Sequence, residues 1–440
     1  MNSALANPPV VKPKAISCPN CGGPVELRGF ANTLSVVCPS CHSILDTSTP
    51  AVRILQQVQI AERIQPTIPL GSRGTFENTP YEAIGYQIRD TLGDEGDGWS
   101  EYVLFNPYKG FRYLAEYKGH WSYIRAQTAF AQPATKIGTR RQMALLGRVY
   151  KAFDSATAVT SYVLGEFPWR VKVGERVRVE DYIAPPHVLS GEITSNEAVW
   201  SVGEYYTGAQ IWQAFKLPGA APAASGIYLN QPSPYTGRVG SAWNLCLLFL
   251  VALAAMAFFF AVRAQDKQVF DHSYSFVPGS TGEASFVTDY FDVTGKTSNV
   301  QVKIDTDLDN SWIYLNLALI NADTGQAFDF GREVSYYHGV DSDGSWSEGS
   351  THSSVKVPGV PPGRYYLRVE PENDGTNSSR LPIRYDLELR RDVPTWSWYW
   401  IAAVLILIPP IFTTVRSASF ETARWRESDF VPGHAALEDD

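Results

Sequence analysis

One uninterrupted apolar run stands out along the chain. Residues 243–262, Trp243-Asn-Leu-Cys-Leu-Leu-Phe-Leu-Val-Ala-Leu-Ala-Ala-Met-Ala-Phe-Phe-Phe-Ala-Val262, contain no charge, proline or glycine. A helix of about 20 residues at ~1.5 Å each spans ~30 Å, the hydrocarbon thickness of a bilayer. A core helix of a soluble domain would show a polar stripe, and this run has none. The pattern predicts a transmembrane helix. A second run, 396–415, opens on Trp396, Trp398, Tyr399 and Trp400, side chains suited to the headgroup level, and is interrupted by Pro409 and Pro410. It predicts a second span.

Elsewhere the period is two. Ala83–Ile88, Trp99–Phe105 and Phe111–Tyr117 read as short aromatic strands between Gly and Asp turns. Trp169–Val173 and Val177–Glu180 alternate around Gly174-Glu175, predicting a hairpin. Gly98-Trp-Ser-Glu-Tyr102 is loosely echoed by Trp200-Ser-Val-Gly-Glu-Tyr205, which suggests an internal duplication. Beyond the first span, Val300–Ile304, Trp312–Ile320, Tyr365–Val369 and Tyr385–Leu389 predict an all-β domain with the turn-then-strand form of a β-sandwich. Only Ile54, Leu55, Val58 and Ala61 suggest a short helix. The expected organisation is a disordered tail (1–17), a zinc ribbon (18–46), a β-rich domain (65–215), a Pro/Gly linker (216–240), a span (243–262), a β-sandwich (268–393), a span (396–415) and a polar tail (416–440) ending in a solvated acidic run, 438–440. The fold class is therefore mostly β.

Charge divides along these boundaries: residues 1–240 carry a net +3, 264–393 a net −9 and 394–440 a net −3. The acidic middle segment is ill suited to anionic lipid or nucleic acid. Basic residues flank both spans on both sides, so the positive-inside rule favours neither orientation. Cysteine usage decides it. Four of five cysteines lie near the N-terminus, Cys246 lies in the first span, and 264–393 has none. With no apolar signal core in residues 1–17, the expectation is a reducing cytoplasmic N-terminal part, an uncleaved first span and an exported acidic domain. Both termini would then face the cytoplasm.

Cys18-Pro-Asn-Cys21 and Cys38-Pro-Ser-Cys41 are two Cys-x-x-Cys knuckles, a spacing that aims four thiolates at one point. The expected cofactor is structural Zn2+ held by Cys18, Cys21, Cys38 and Cys41, with His42 a neighbour rather than a ligand. Two rivals are a c-type haem attachment at Cys38–His42, which leaves Cys18 and Cys21 unexplained, and a redox dithiol, which lacks a surrounding βαβ pattern. Arg28 is the one basic residue between Cys18 and Cys41, so nucleic-acid binding through the ribbon is not expected.

Leu70-Gly-Ser-Arg-Gly74, Tyr81-Glu-Ala-Ile-Gly85, Trp99–Leu104, Gly174–Tyr182 and Ile183–Glu192 followed by Trp200–Tyr205 resemble a bacterial family called "domain of unknown function 4178". The resemblance covers roughly residues 65–215. It implies a membrane-linked accessory role, and it supplies no catalytic residues.

The chain shows no P-loop, nucleophile elbow or helical His pair. Asp305-Thr-Asp307-Leu-Asp309-Asn310 begins like a calcium loop but lacks the Gly and Glu of an EF-hand, leaving a polar turn or a looser site with Asp341 and Asp343. His120 and His187 read as turn or surface imidazoles. The main expectation is a non-enzymatic, membrane-anchored scaffold or sensor with unknown protein partners. The alternative is an enzyme using carboxylates among Glu101, Asp181, Glu192 and Glu204 of the 65–215 domain, and a third reading is nucleic-acid binding through the ribbon.

Overall fold

A computed structural model describes residues 14–29, 32–49, 51–58, 64–134, 141–194, 197–278, 285–342, 344–373 and 382–430. The chain divides into two compact units, residues 1–240 with 411–440 and residues 241–410. Strand is the dominant element of the fold, as the alternating pattern predicted.

The first unit begins with five short strands, β1 (Lys14–Ser17), β2 (Pro24–Leu27), β3 (Ser35–Val37), β4 (Ile44–Asp46) and β5 (Arg53–Gln56). β1 pairs with β2, and β4 lies between β3 and β5. Two expectations are corrected here. Lys14–Ser17, placed in a disordered tail, is a strand, because Ile16 packs against the buried Cys18, Val25 and Cys38 cluster. The helix expected near Ile54 is instead the edge strand β5, since its backbone pairs with β4.

Next come β6 (Arg73–Phe76), β7 (Thr79–Thr91), β8 (Asp94–Asn106), β9 (Gly110–Tyr117), β10 (His120–Gln127), β11 (Gln132–Pro133), β12 (Gln142–Leu145), β13 (Arg148–Phe167), β14 (Arg176–Ala184), β15 (His187–Ile193) and β16 (Ala198–Tyr206). Hydrogen bonding runs β13-β14-β15-β16-β10-β9-β8-β7 and returns from β7 to β13, closing an eight-stranded antiparallel barrel. Closure depends on β13. Its first half pairs with β14, its second half with β7, and its last two residues with β3. Gly85 and Gly165 face each other where β7 meets β13, and a Cβ on either would lie 2.2 Å from a backbone oxygen. Only glycines let the strands come so close.

The hairpin expected around Gly174 does not form. Gly174 does turn, at φ +85°, but Gly174 N–H donates to Thr160 O and Thr160 N–H to Glu175 O. The turn is thereby fastened to β13, while Trp169, Val171 and Val173 fill a core with Val37, Ile84, Val103 and Phe167. After β16 the helix α1 (Gly208–Phe215) packs Ile211 and Phe215 on an aromatic cluster of Phe76, Tyr81, Tyr102, Trp121 and Tyr123. The stretch expected as a plain linker also contributes to this unit: Asn230 is fully buried and exchanges hydrogen bonds with Ser122 Oγ.

The helices α2 (Arg238–Arg263) and α3 (Ser397–Trp425) contain the two apolar runs. They are long and apolar enough to cross a membrane, and only 6% of each apolar window is buried. α3 runs past its expected end at 415 into the stretch expected as a polar tail, and its last turn docks. The Arg424 guanidinium, 1% exposed, donates to the carbonyls of Leu229 and Gln231 at 2.7 and 2.6 Å and pairs with Glu421. The acidic run at 438–440 lies outside the described residues.

The second unit contains β17 (Lys267–Phe276), β18 (Phe286–Val287), β19 (Phe291–Val293), β20 (Ser298–Thr306), β21 (Ser311–Asn321), β22 (Ala327–Asp341), β23 (Gly344–Ser350), β24 (His352–Val360), β25 (Gly363–Glu372) and β26 (Ile383–Arg391). They form two antiparallel sheets, β17-β26-β20-β24 and β18-β25-β21-β22-β23, with β19 added to β25. Alternate residues of both sheets, among them Val302, Ile304, Leu315, Leu317, Leu367 and Leu387, share one buried cluster.

Candidate metal centre and barrel lumen

The two knuckles are the same turn used twice. Gly22 N–H donates to Cys18 O and His42 N–H to Cys38 O, each at 2.9 Å; Cys18 N–H and Cys38 N–H donate to Gly23 O and Ser43 O. Both turns need a left-handed residue at the same place, Gly22 at φ +74° and His42 at φ +57°. The four Sγ atoms lie within 4.8 Å of one another, and the Cys18–Cys41 and Cys21–Cys38 separations are 3.7 Å. A tetrahedron with metal–sulfur bonds of ~2.3 Å has edges of about 3.8 Å, so these thiols fit a closed four-sulfur metal site. Burial works to raise the Cys41 thiol, but hydrogen bonds with Ser43 and Asn20 bring it down to about 6. Cys21 is held the other way. A backbone hydrogen bond at Gly23 lowers it, but the Cys41, Cys38 and Cys18 thiols and burial outweigh that and push it up to about 12. Of these two thiols Cys41 is the one poised as a thiolate. Arg28 is ion-paired with Glu82 and therefore not free for phosphate.

Glu166 joins this module to the barrel. Its carboxylate, 2% exposed at the end of β13, accepts from Arg28 N, Gly29 N and Thr33 Oγ1 at 2.6, 2.8 and 2.8 Å. Burial raises its pKa against those donors. Nothing in the local sequence singles it out, because its partners lie more than 130 residues earlier.

A second cluster lies inside the barrel. Arg89 on β7 reaches Glu192 on β15, although β13 and β14 separate those strands around the wall. Such a contact crosses the lumen. Glu101 stands 3.5 Å from Arg89 Nη1 and accepts from Gln87 Nε2 and Trp99 Nε1, both at 2.6 Å. The Trp99 ring centroid lies 5.7 Å from the guanidinium. Burial opposes the Arg89 charge, but Glu101 and Glu192 outweigh it and raise its pKa. Asp181 on β14, half-buried with its Oδ1 out of solvent, is pushed up to about 6, first by burial, against a lowering bond with Ser190, and further by Glu101 and Glu192. Its Oδ1 and Arg89 Nε have no protein hydrogen-bond partner.

Of the four carboxylates considered from sequence, Glu101, Asp181 and Glu192 therefore come together. Glu204 does not: it pairs with Arg125, 3.5 Å away, on the other face of the wall. Arg89, at the centre, carries no local signal and was missed. His120 is not at the surface as expected. It is 1% exposed, with its ring nitrogens 3.0 Å from Tyr205 Oη and 3.1 Å from Ser225 O. His187 is half-buried, and burial lowers its pKa. In the aspartate-rich turn, Asp305 and Asp309 pair with His352 and His338, and Asp307 Oδ1 accepts from Arg384 N. Asp343 lies outside the described residues.

A family described as "Domain of unknown function (DUF4178)" matches residues 69–208. That stretch holds every strand of the barrel wall and stops where α1 begins. The knuckles, both long helices and the two-sheet unit lie outside the DUF4178 match. No curated protein matches the chain. Among solved structures, one of the infectious bursal disease virus Gx strain is 10% identical, with 87% of this chain and 70% of that chain covered, at a TM-score of 0.19. PNGF-II is 10% identical, with 70% and 67% covered, at 0.17. Scores that low carry no argument.

Proposed function

We propose that this protein is a bacterial inner-membrane scaffold or sensor without catalytic activity. In this reading α2 and α3 span the bilayer, and residues 264–393 form a β-sandwich outside the cytoplasm. The knuckle module is a zinc ribbon that, with the DUF4178 barrel, docks protein partners inside. The observation that carries it is the bare apolar surface of the two long helices. Leu247, Leu248, Phe258, Val404 and Leu405 are each more than half exposed, a surface water would penalise and lipid tails would accept. The lack of cysteine in 264–393 supports the orientation. The test is labelling of Cys18, Cys21, Cys38 and Cys41 in intact cells. A membrane-impermeant thiol reagent is expected to leave them unmodified until the cells are permeabilised and the metal removed. Labelling from outside would overturn the topology. Zinc at one equivalent per chain in detergent-purified protein is the matching expectation for the knuckles.

A second reading, an enzyme or small-molecule binder acting in the barrel, is favoured by one observation: Arg89, Glu101, Asp181 and Glu192 converge in a lumen where charge is costly to keep. Loss of a bound or turned-over small molecule on Arg89→Met would support it over the scaffold reading.

A further inference from the structure

The end of α3 and the residues after it are fastened to the barrel by a set of contacts that the scaffold reading does not use. Trp425 stacks obliquely on Phe153, ring centroids 5.4 Å apart, and packs with Leu229 on Ile183 and Val188. Ser428, 7% exposed, donates from Oγ to Phe153 O. Arg424 holds the 228–231 carbonyls, as described. At the centre of these attractive contacts stands one repulsive one. The Ser155 amide is shared by two carboxylates, accepting oxygens being Asp154 Oδ1 at 2.9 Å and Asp429 Oδ2 at 3.2 Å. One N–H cannot satisfy both anions, and two carboxylates this close favour holding a single proton between them.

Among the described residues the cations around them are engaged elsewhere. Asp181 stands opposite Asp154 in the β13–β14 register and adds a third acid. Arg178, on the same strand, donates to Ser155 Oγ and pairs with Glu180, which Arg141 also holds. Arg424 is committed to Glu421 and backbone carbonyls. Among the described residues neither Asp154 nor Asp429 forms an ion pair.

We propose that Asp154 and Asp429 form a proton-dependent latch: sharing a proton, they hold residues 426–430 on the barrel, and losing it, they repel and release them. Burial first, then Asp429 and Asp181, pushes the Asp154 carboxyl up to about 7. Release therefore falls near neutral pH, where modest acidification would fasten the end of the helix to the DUF4178 barrel. The proton lost on release goes to solvent, and no other reactant is needed.

The experiment uses the full chain in detergent with its metal bound, carrying nitroxide labels at Lys151 and Glu427, both exposed. Pulsed-EPR distances are recorded from pH 5.5 to 8.5. A single short distance at pH 5.5 is expected to give way, with a midpoint near 7, to a longer and broader distribution at pH 8.5. Asp154→Asn and, separately, the exposed Asp429→Asn are expected to keep the short distance throughout. Ser428→Ala is expected to weaken docking at every pH while leaving the midpoint in place. An identical distribution at both extremes in the parent chain would overturn the latch. So would a pH shift that survives both Asn variants, or restoration of the short distance at pH 8.5 by calcium alone, which would make a cation the shared ligand.

Discussion

The two-sheet unit packs aliphatic and aromatic side chains into one cluster, and among its described residues it buries one charge, Arg391, which donates to Lys296 O. The barrel instead turns Arg89, Glu101, Asp181 and Glu192 inward. Both are antiparallel β structures, so strand direction does not account for the difference. An apolar core is the cheaper solution, since each buried charge costs several kcal/mol that pairing rarely returns in full. The two-sheet unit buries a lone guanidinium, whereas the barrel gathers a cation and three acids at one place, and that concentration of charge spends stability in the barrel on something besides folding.

The contrast is tested most severely at the knuckles, the part of the first unit too small to hold itself. On the proposed reading that the four thiols hold a structural metal, chelation is expected to abolish amide protection over residues 14–56, since such sites supply on the order of 10 kcal/mol. The strands of 267–391 are expected to keep theirs. Hydrogen exchange read by mass spectrometry separates the two, and unchanged protection at 14–56 in metal-free protein would show that the thiols are not the staple.

Next in size are substitutions in the two interiors. Leu317→Ala in the two-sheet core should cost about 2–5 kcal/mol, as a cavity in a packed apolar core does. Arg89→Met should cost about 2–3 kcal/mol, because it strands the part-buried Glu101 without its cation, while Glu192, 43% exposed, keeps its water. The triple change Arg89→Met, Glu101→Gln, Glu192→Gln should recover most of that loss or exceed the parent in stability. Denaturant unfolding of the detergent-solubilised chain reads all three. If Arg89→Met alone costs nothing, the lumen is wet and the contrast between the interiors dissolves. Glu166→Ala follows, at about 2–3 kcal/mol for three lost hydrogen bonds to a buried carboxylate. Its loss should fall on the 14–56 region and spare the two-sheet unit.

What was legible in the sequence was whatever repeats or is local. The cysteine spacing placed four thiols that the fold brings within 4.8 Å, and the apolar runs lie inside α2 and α3. Alternation, with short apolar runs, marked β7, β8, β9 and β14 of the barrel unit and β20, β21, β25 and β26 of the two-sheet unit, and left the other strands of the barrel wall and the two-sheet unit unread. It failed at Trp169–Val173, where apolar residues at period two serve a core without pairing, and at Ile54, where backbone pairing with β4 overrides a weak helical spacing. The lumen was out of reach because Arg89 and Glu192 are 103 residues apart, and the register that aims them at each other is set by closure at Gly85 and Gly165. Asp429 meets Ser155 across 274 residues, a pairing no local pattern encodes.

The smallest effect is a difference in sign. Asp181 and Asp154 have carboxyl pKa values raised in the folded chain, to about 6 and about 7, against an unfolded value near ~3.9. Between pH 4 and those values the folded barrel holds protons that the unfolded chain has lost. Its stability should therefore fall as pH rises through that window, by at most ~1.4 kcal/mol per pH unit for each group, and level off above 7. In the two-sheet unit Glu388 behaves oppositely. A hydrogen bond from Arg390, then one from Lys303 Nζ at 3.0 Å, lowers its pKa, so its contribution is present above about 4.5 and is lost as pH falls. Acid should thus tighten one unit and loosen the other within a single molecule. Unit-resolved hydrogen exchange at pH 3, 4.5, 6 and 7.5, corrected for intrinsic rates, should show the barrel gaining protection from 7.5 down to 4.5 and the two-sheet unit losing it from 4.5 to 3. In Asp181→Asn the barrel's slope below pH 6 should shrink while the Asp154 portion up to pH 7 persists; parallel slopes in both units would mean that the lumen acids are solvated in the folded state.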